Sequence, residues 1–509
     1  MLKTLSKIGL LVSALAVGTV WLVVLRLKDV PVPLLAAYGL LLTGLVVGLL
    51  WPSVLGRRAT RRRVLAFLGV PVGLGTLGLY LAVVYYVTDL PVLLALAAAG
   101  CLAWAAASVL RGRRAAAGRG GRQSRRAFLA GGAGLTLAVL SGLSVDRVDR
   151  QRREVLARGE QERQAAVRAA GARRRIADDI VRVFPIHTGD TIVTYGQFYG
   201  GLDGWEGVNG YLRTLVDKTQ IAVPVYAYLI DHPRHGLMLV DTGVNWEQAH
   251  DHDGYYDHNH MVSRLLTQRD EYQMTPGQDL RVHLARLGYD AKEITTVFLT
   301  HVHDDHAGGL RYLPQATVVL DRRDWDHGVL YPYSFDLVKS NLSFPAFGSG
   351  AFGAFPDSQD HFGDGSLILL PTPGHSPGHM CVLLHLDTGS VLFVGDTLYT
   401  LPHLAVEQVR QTTLGGADTI HQIEAARRIQ NLLASDPGTV PLFAHDNTRY
   451  QFDLVTSAFA NGVPGEAGLL ELRTHMQTAL TPDWRLQAGH TPRFVPPASG
   501  TGVGRVEFR

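Results

Sequence analysis

Hydrophobic positions along this 509-residue chain fall into three patterns, and each predicts a different kind of element. Residues 8–25, 32–51, 64–87, 90–110 and 127–145 are long apolar runs without a charged side chain. At about 1.5 Å per residue, each is long enough to cross roughly 30 Å of hydrocarbon. They predict an all-α transmembrane domain of five helices over 1–145. Beyond residue 182 the apolar runs shorten and are bounded by turn residues, which predicts strands. Such runs lie at 223–230, 236–240, 295–299, 367–370, 391–395 and 440–444, the first two joined by the turn-rich Asp231-His232-Pro233-Arg234-His235. The third pattern is helical spacing: Leu280, Leu284 and Leu287 stop at Gly288, and Ile423, Ala426, Ile429 and Leu433 form a second stripe. Between membrane and strands, 146–182 mixes Arg152, Glu154, Arg158, Glu160 and Arg163 with alanines and predicts a solvated helical stalk. Strands alternating with helices over 183–509 predict an α/β domain with a C-terminal tail.

Charge sharpens this division. The net charge of +3 conceals 18 Lys and Arg against four Asp in residues 1–150, leaving 30 basic and 41 acidic side chains to the remainder. An acidic second part argues against a nucleic-acid partner, whose phosphates it would repel. The arginines instead flank the apolar runs. Arg57, Arg58, Arg61, Arg62 and Arg63 separate the second run from the third, and seven arginines from Arg111 to Arg126 separate the fourth from the fifth. Positive charge marks the cytoplasmic side, so the N-terminus is placed there and the last span emerges outside. The domain beyond residue 182 is then extracytoplasmic, on a multi-pass protein of the cell membrane with the lipid bilayer as partner. Ser124-Arg125-Arg126-Ala127-Phe128-Leu129, followed by an apolar stretch, resembles a twin-arginine export signal retained as an anchor. The spans contain no Asp, Glu, Lys, Arg or His, the usual marks of an ion pathway, which favours an anchor over a transporter or sensor.

Candidate chemistry is concentrated at strand ends. Thr300-His301-Val302-His303-Asp304-Asp305-His306 follows the run at 295–299 and packs several metal-ligating side chains into one loop. Extended backbone puts His301 and His303 on one face, and the following turn points Asp305 and His306 elsewhere, which suits two adjacent metals. Three further candidates follow later runs: His375 in Pro373-Gly374-His375-Ser376-Pro377-Gly378-His379, then Asp396, then His445. Imidazole and carboxylate donors suit zinc, and also manganese or iron. A loop-borne set of His250, His252, His258 and His260 reads as solvated. The aromatics between residues 321 and 365, with the Trp205 and Trp246 regions, are candidates to wall an apolar pocket, although core packing explains any one of them better.

The order His-x-His-x-Asp-His, lone His, Asp, last His resembles the metallo-β-lactamase superfamily over residues 183–450. The resemblance implies a four-layer αββα sandwich. It implies that His301, His303 and His375 hold one divalent metal, that Asp305, His306 and His445 hold a second, and that Asp396 bridges them. Zn²⁺ is the expected metal, and Asp241 and His379 are expected to support the ligands from behind. Gly395-Asp396-Thr397-Leu398-Tyr399-Thr400 is similar to the N-acyl-homoserine lactonase branch, which implies a Tyr399 hydrogen bond to a lactone. The implied activity is a membrane-anchored hydrolase in which a hydroxide shared by two cations opens lactones, with Asp305 in proton transfer. A thioester or phosphodiester hydrolase of the same fold is the alternative, as is a membrane transporter or sensor with a regulatory module.

Overall fold

The computed structural model describes residues 157–169, 179–194, 220–251, 271–326, 332–405, 419–480, 492–495 and 505–508, together with Glu154, Phe198 and Tyr255. The chain divides into two units at Val155/Leu156. The five spans expected within 1–145 and the Ser124–Leu129 motif lie outside the described residues. Among the described residues no helix is long and apolar enough to cross a membrane.

Two mixed sheets form the second unit. The first has seven strands: β1 (Arg182–Thr194), β2 (Gln220–His232), β3 (Gly236–Val240), β4 (Tyr272–Gln273), β5 (Ile294–Phe298), β6 (Thr317–Val319) and β7 (Leu342–Ser343), ordered β4-β1-β2-β3-β5-β6-β7. The second contains β8 (Gln359–Asp360), β9 (Leu367–Pro371), β10 (Met380–Leu386), β11 (Gly389–Gly395) and β12 (Thr439–Phe443), ordered β12-β11-β10-β9-β8. A hairpin of β13 (Pro492–Val495) and β14 (Arg505–Phe508) follows in the C-terminal tail. The expected turn at 231–235 joins β2 and β3 as an antiparallel pair. Of the strands that lead to candidate site residues, β5 runs parallel to β3 and β11 to β12, whereas β9 pairs antiparallel with β8 and β10.

Side-chain alternation shows how the layers stack. Met238 and Val240 of β3 and Phe298 of β5 face a core shared with Leu369, Val382, Leu384, Phe393 and Leu442 of the second sheet. Their neighbours Leu237, Leu239 and Val297 face the other way, onto Leu280 and Leu284 of a helix. Behind the second sheet lie Ile429 and Leu433, and then Leu469, Leu472 and Met476. These come from helices on that side, giving an α/β protein of four layers. Each fully buried aliphatic side chain contributes about 1.5–3 kcal/mol, so this alternation fixes the register against slippage by one residue.

The helices follow from local signals. Numbered in chain order, α1 is Trp246–His250, α2 Leu280–Leu287, α3 Asp304–Ala307, α4 Arg322–Asp326, α5 Thr419–Ser435 and α6 Glu466–Ala479. The carboxylate of Asp279 caps α2 by accepting the Arg281 N–H, and Gly288 ends it at φ 88°. Asn245 and Gln248 close a reciprocal capping box on α1.

Within 146–182, residues 157–169 are helical, mostly exposed and part of the second unit. Gly159 is buried, and a Cβ there would lie 1.9 Å from the Trp246 indole nitrogen, so only glycine permits the approach. Glu160 reaches Arg281 on α2 at 3.8 Å. Of the aromatics in 321–365, Phe335 packs with Trp325 and Phe344 against the α2 side, and Phe355 with Phe347 and Phe352 joins the core cluster around the second sheet. Burial in an available core is more favourable than exposure in a loop. Trp205 and Tyr331 lie outside the described residues.

His283 on α2 bonds the His187 carbonyl of β1 through Nε2 at 3.0 Å. Burial lowers its pKa to about 4, against the opposing effect of that bond. The folded chain therefore binds fewer protons than the unfolded chain between pH 4 and 6.5, so stability falls as pH drops through that window. The loss is at most about 3 kcal/mol. His283→Gln is expected to flatten the acid side of a urea-midpoint titration relative to the wild type; parallel curves would contradict this.

Candidate metal centre

Four strand ends deliver the candidate ligands. β5 stops at Phe298, and the loop after it carries His301 and His303 into α3, where Asp305 and His306 sit one turn along. β9 ends at Pro371 and leads to the His375 loop. In that loop Gly374 adopts φ 144°, and a Cβ would strike the Gln422 backbone nitrogen at 2.3 Å, so the loop seats directly on α5. β11 delivers Asp396 and β12 delivers His445. Open α/β sheets present functional groups beyond such carboxyl ends.

The seven side chains converge as two groups. One ligand atom from each of His301, His303, His375 and Asp396 lies within 4.8 Å of the others, and the same holds for Asp305, His306 and His445. In the first, His301 Nε2 is 2.8 Å from His303 Nδ1, and His375 Nε2 is 3.1 and 2.9 Å from those atoms. Asp396 joins the groups. Its Oδ2 lies 3.2 Å from His375 Nε2, while Oδ1 lies 3.2 Å from His306 Nε2 and 3.3 Å from His445 Nε2. Asp305 Oδ2 is 3.4 Å from His445 Nε2.

This donor set fits divalent cations. Burial holds His301 and His375 well below the usual imidazole pKa and also lowers that of His303, so all three are neutral and present lone pairs. Three lone pairs facing one point repel unless a cation lies between them, and neutral imidazole is the form that binds metal. The second group has the opposite balance. Burial opposes charge on His306 and His445, yet the carboxylates around them, Asp396 foremost, raise both pKa values. Burial likewise opposes charge on Asp396, but His445, His306 and His375 push its pKa well below the carboxylate range. An anionic pocket of this kind calls for compensating positive charge.

Further polar groups aim the rings. Asp241 accepts the Thr300 N–H at 2.8 Å and pairs with His306 Nδ1 at 2.8 Å. The Pro224 carbonyl accepts from His445 Nδ1 at 2.8 Å. His379 accepts the Asp396 N–H on Nε2 at 2.9 Å while Nδ1 faces Thr372 Oγ1. Burial keeps its pKa near 3, so His379 stays a neutral acceptor that fixes Asp396. Such outer hydrogen bonds set ligand tautomer and orientation. The Tyr399 ring lies 5.8 Å from His375 and 5.7 Å from His445, and stacks on Phe198 at 4.9 Å. Burial, reinforced by Asp396 and Asp305, raises the phenol pKa well above 10, so its proton stays in place.

Neighbouring polar residues lie outside the two groups. Asp304 turns away from both groups and accepts the Tyr272 hydroxyl at 2.7 Å. His250 stacks on Trp246 and bonds its carbonyl, whereas His252, His258 and His260 lie outside the described residues. Sequence reasoning misses Phe198, which has no motif around it. It misses Gln248, whose amide donates to the Asp304 carbonyl at 2.8 Å and braces the start of α3. The Asn245-x-x-Gln248 spacing announces a helix cap but not that longer reach. It also misses Asp324, buried between the two ligand loops.

Comparison with known proteins agrees with this geometry. The metallo-beta-lactamase superfamily model matches residues 221–445. The N-acyl homoserine lactonase AttM of Azorhizobium caulinodans is 26% identical over 231 residues, covering 43% of this chain and 85% of the relative. AttM of Agrobacterium fabrum is 29% identical over 214 residues, covering 40% and 76% respectively. A solved quorum-quenching N-acyl homoserine lactone hydrolase is similar at 20% identity with a TM-score of 0.39, covering 53% of this chain and 95% of that one. The motif, the convergent donors, the family model and the sequence relatives together mark residues 221–445 as a metallo-beta-lactamase superfamily hydrolase domain, with N-acyl homoserine lactonases among its homologues.

Proposed function

We propose that this chain is a membrane-anchored, dinuclear-metal hydrolase that opens lactones such as N-acyl-homoserine lactones. The observation that carries the reading is the placement of Asp396, whose two oxygens face separate histidine groups, beside the Tyr399 ring. His301, His303 and His375 would hold one cation, Asp305, His306 and His445 the other, and Asp396 both. Zn²⁺ suits this mixed imidazole and carboxylate set, and Mn²⁺ or Fe²⁺ are compatible. When bound, two such ions supply Lewis acidity and bring the pKa of a water toward neutrality.

The protein's own groups do the rest. The protonated Tyr399 hydroxyl donates to the ester oxygen on which charge develops, and the closed aromatic contact with Phe198 fixes that donor. Asp305, exposed at its edge and facing His445, carries a proton toward the leaving oxygen. Water adds to the acyl carbon, the ring C–O bond breaks, and the ring oxygen takes a proton. The product is a hydroxy acid, whose ionisation releases one proton per turnover. The apolar runs of 1–145 and their arginine flanks support a multi-pass anchor with the hydrolase outside the cytoplasm.

The test uses the full-length chain in detergent with about two equivalents of Zn²⁺. Proton release from N-acyl-homoserine lactones should match ester disappearance. Faster hydrolysis of thioesters or phosphodiesters, or no lactone turnover, would overturn the substrate assignment. A C-terminal reporter active only in the cytoplasm would overturn the orientation.

A further inference from the structure

We propose that Asp324 is a positioning residue: its buried carboxylate fastens the His301–His303 loop to the His375 loop and so sets the affinity of the first metal group. The inference rests on the reading that those three histidines hold a metal, and it concerns how the chain keeps them together. Asp324 is 2% exposed on α4, an element that supplies no candidate ligand. Its Oδ2 accepts from Ser376 Oγ at 2.8 Å and from the Val302 N–H at 3.3 Å, and its Oδ1 accepts the Gly378 N–H. Val302 lies between His301 and His303, and Ser376 and Gly378 follow His375. One side chain thus links the two loops whose histidine nitrogens stand 2.9–3.1 Å apart.

The rest of the centre shows why such a link is needed. His306 Nδ1 is held by Asp241, His445 Nδ1 by the Pro224 carbonyl, and His301 Nδ1 faces Thr300 Oγ1 at 3.2 Å. His375 Nδ1 is buried with no hydrogen-bond partner among the described residues. Its ring therefore lacks the outer hydrogen bond that usually orients a ligand histidine. The backbone of its loop must set its position instead. Gly374 seats one end of that loop on α5, and Asp324 holds the other end against the His301 loop.

Asp324→Asn keeps the shape but replaces one acceptor oxygen with a donor, which must then face a donor of the Ser376, Gly378 and Val302 set. Metal affinities of the full-length variant are read by competition with a zinc-binding dye, and ligand geometry by the visible spectrum with Co²⁺. The expected result is about 10–100-fold weaker binding of one of the two ions, an altered Co²⁺ spectrum, and the second ion held as in the wild type. Ser376→Ala, which removes a single donor and leaves the carboxylate, should weaken the same ion less; it carries the test if Asp324→Asn does not fold. Wild-type affinities in the folded variants, or equal weakening of both ions, would overturn the inference. A wild-type chain that binds no divalent ion would instead overturn the functional reading and this inference with it.

Discussion

Asp396→Ala is expected to lower hydrolysis by about 1,000-fold or more. The magnitude follows from position. Asp396 contacts both histidine groups, one oxygen to each, so its loss removes a ligand from two candidate cation sites at once. Metal-supplied charge stabilisation is worth several kcal/mol in a transition state, and each 1.36 kcal/mol is tenfold in rate. The variant should also retain fewer than two ions per chain. Activity within about tenfold of wild type, an energetic difference of only about 1.4 kcal/mol, would show that the carboxylate does not join the groups. His379→Ala should move the same readouts less, because it touches the backbone N–H of Asp396 and not the centre itself.

Tyr399→Phe should separate catalysis from metal binding. Removal of one preorganised donor to a developing oxyanion costs about 10²–10³ in kcat. The aromatic ring that stacks on Phe198 remains, and among the described residues the Tyr399 hydroxyl makes no hydrogen bond that the variant would break. Metal content and thermal stability should therefore stay at the wild-type level while kcat for lactones falls and KM changes little. Unchanged lactone turnover would remove Tyr399 from the chemistry and leave it as packing against His375 and His445.

The centre was more legible in the sequence than its supports. His301, His303, Asp305 and His306 occupy one short loop after a strand, so their convergence is a local matter of backbone geometry. His375, Asp396 and His445 each follow an apolar run that becomes a strand, and because β9 and β11 both run antiparallel to β10 while β12 runs parallel to β11, their carboxyl ends reach one edge of the sheet. Helix α2 was readable because Leu280 and Leu284 bury one stripe and Gly288 supplies the left-handed stop. Asp324 was not readable. It sits in Arg322-Arg323-Asp324-Trp325-Asp326, a charged run that resembles solvated surface, and only the tertiary fold turns that one carboxylate inward. Docking of Gly159 on Trp246 was hidden for the same reason, since a glycine within a mixed-charge helix looks like a weakness and not a contact.

Seven side chains on four strand ends are placed to hold two divalent cations, and elemental analysis of the purified full-length chain, with a His301→Ala/His303→Ala/His375→Ala variant beside it, tests this. Two ions are expected per wild-type chain, and one in the variant, retained by Asp305, His306 and His445. A wild-type chain that takes up no divalent ion, or a variant that still holds two, would contradict it.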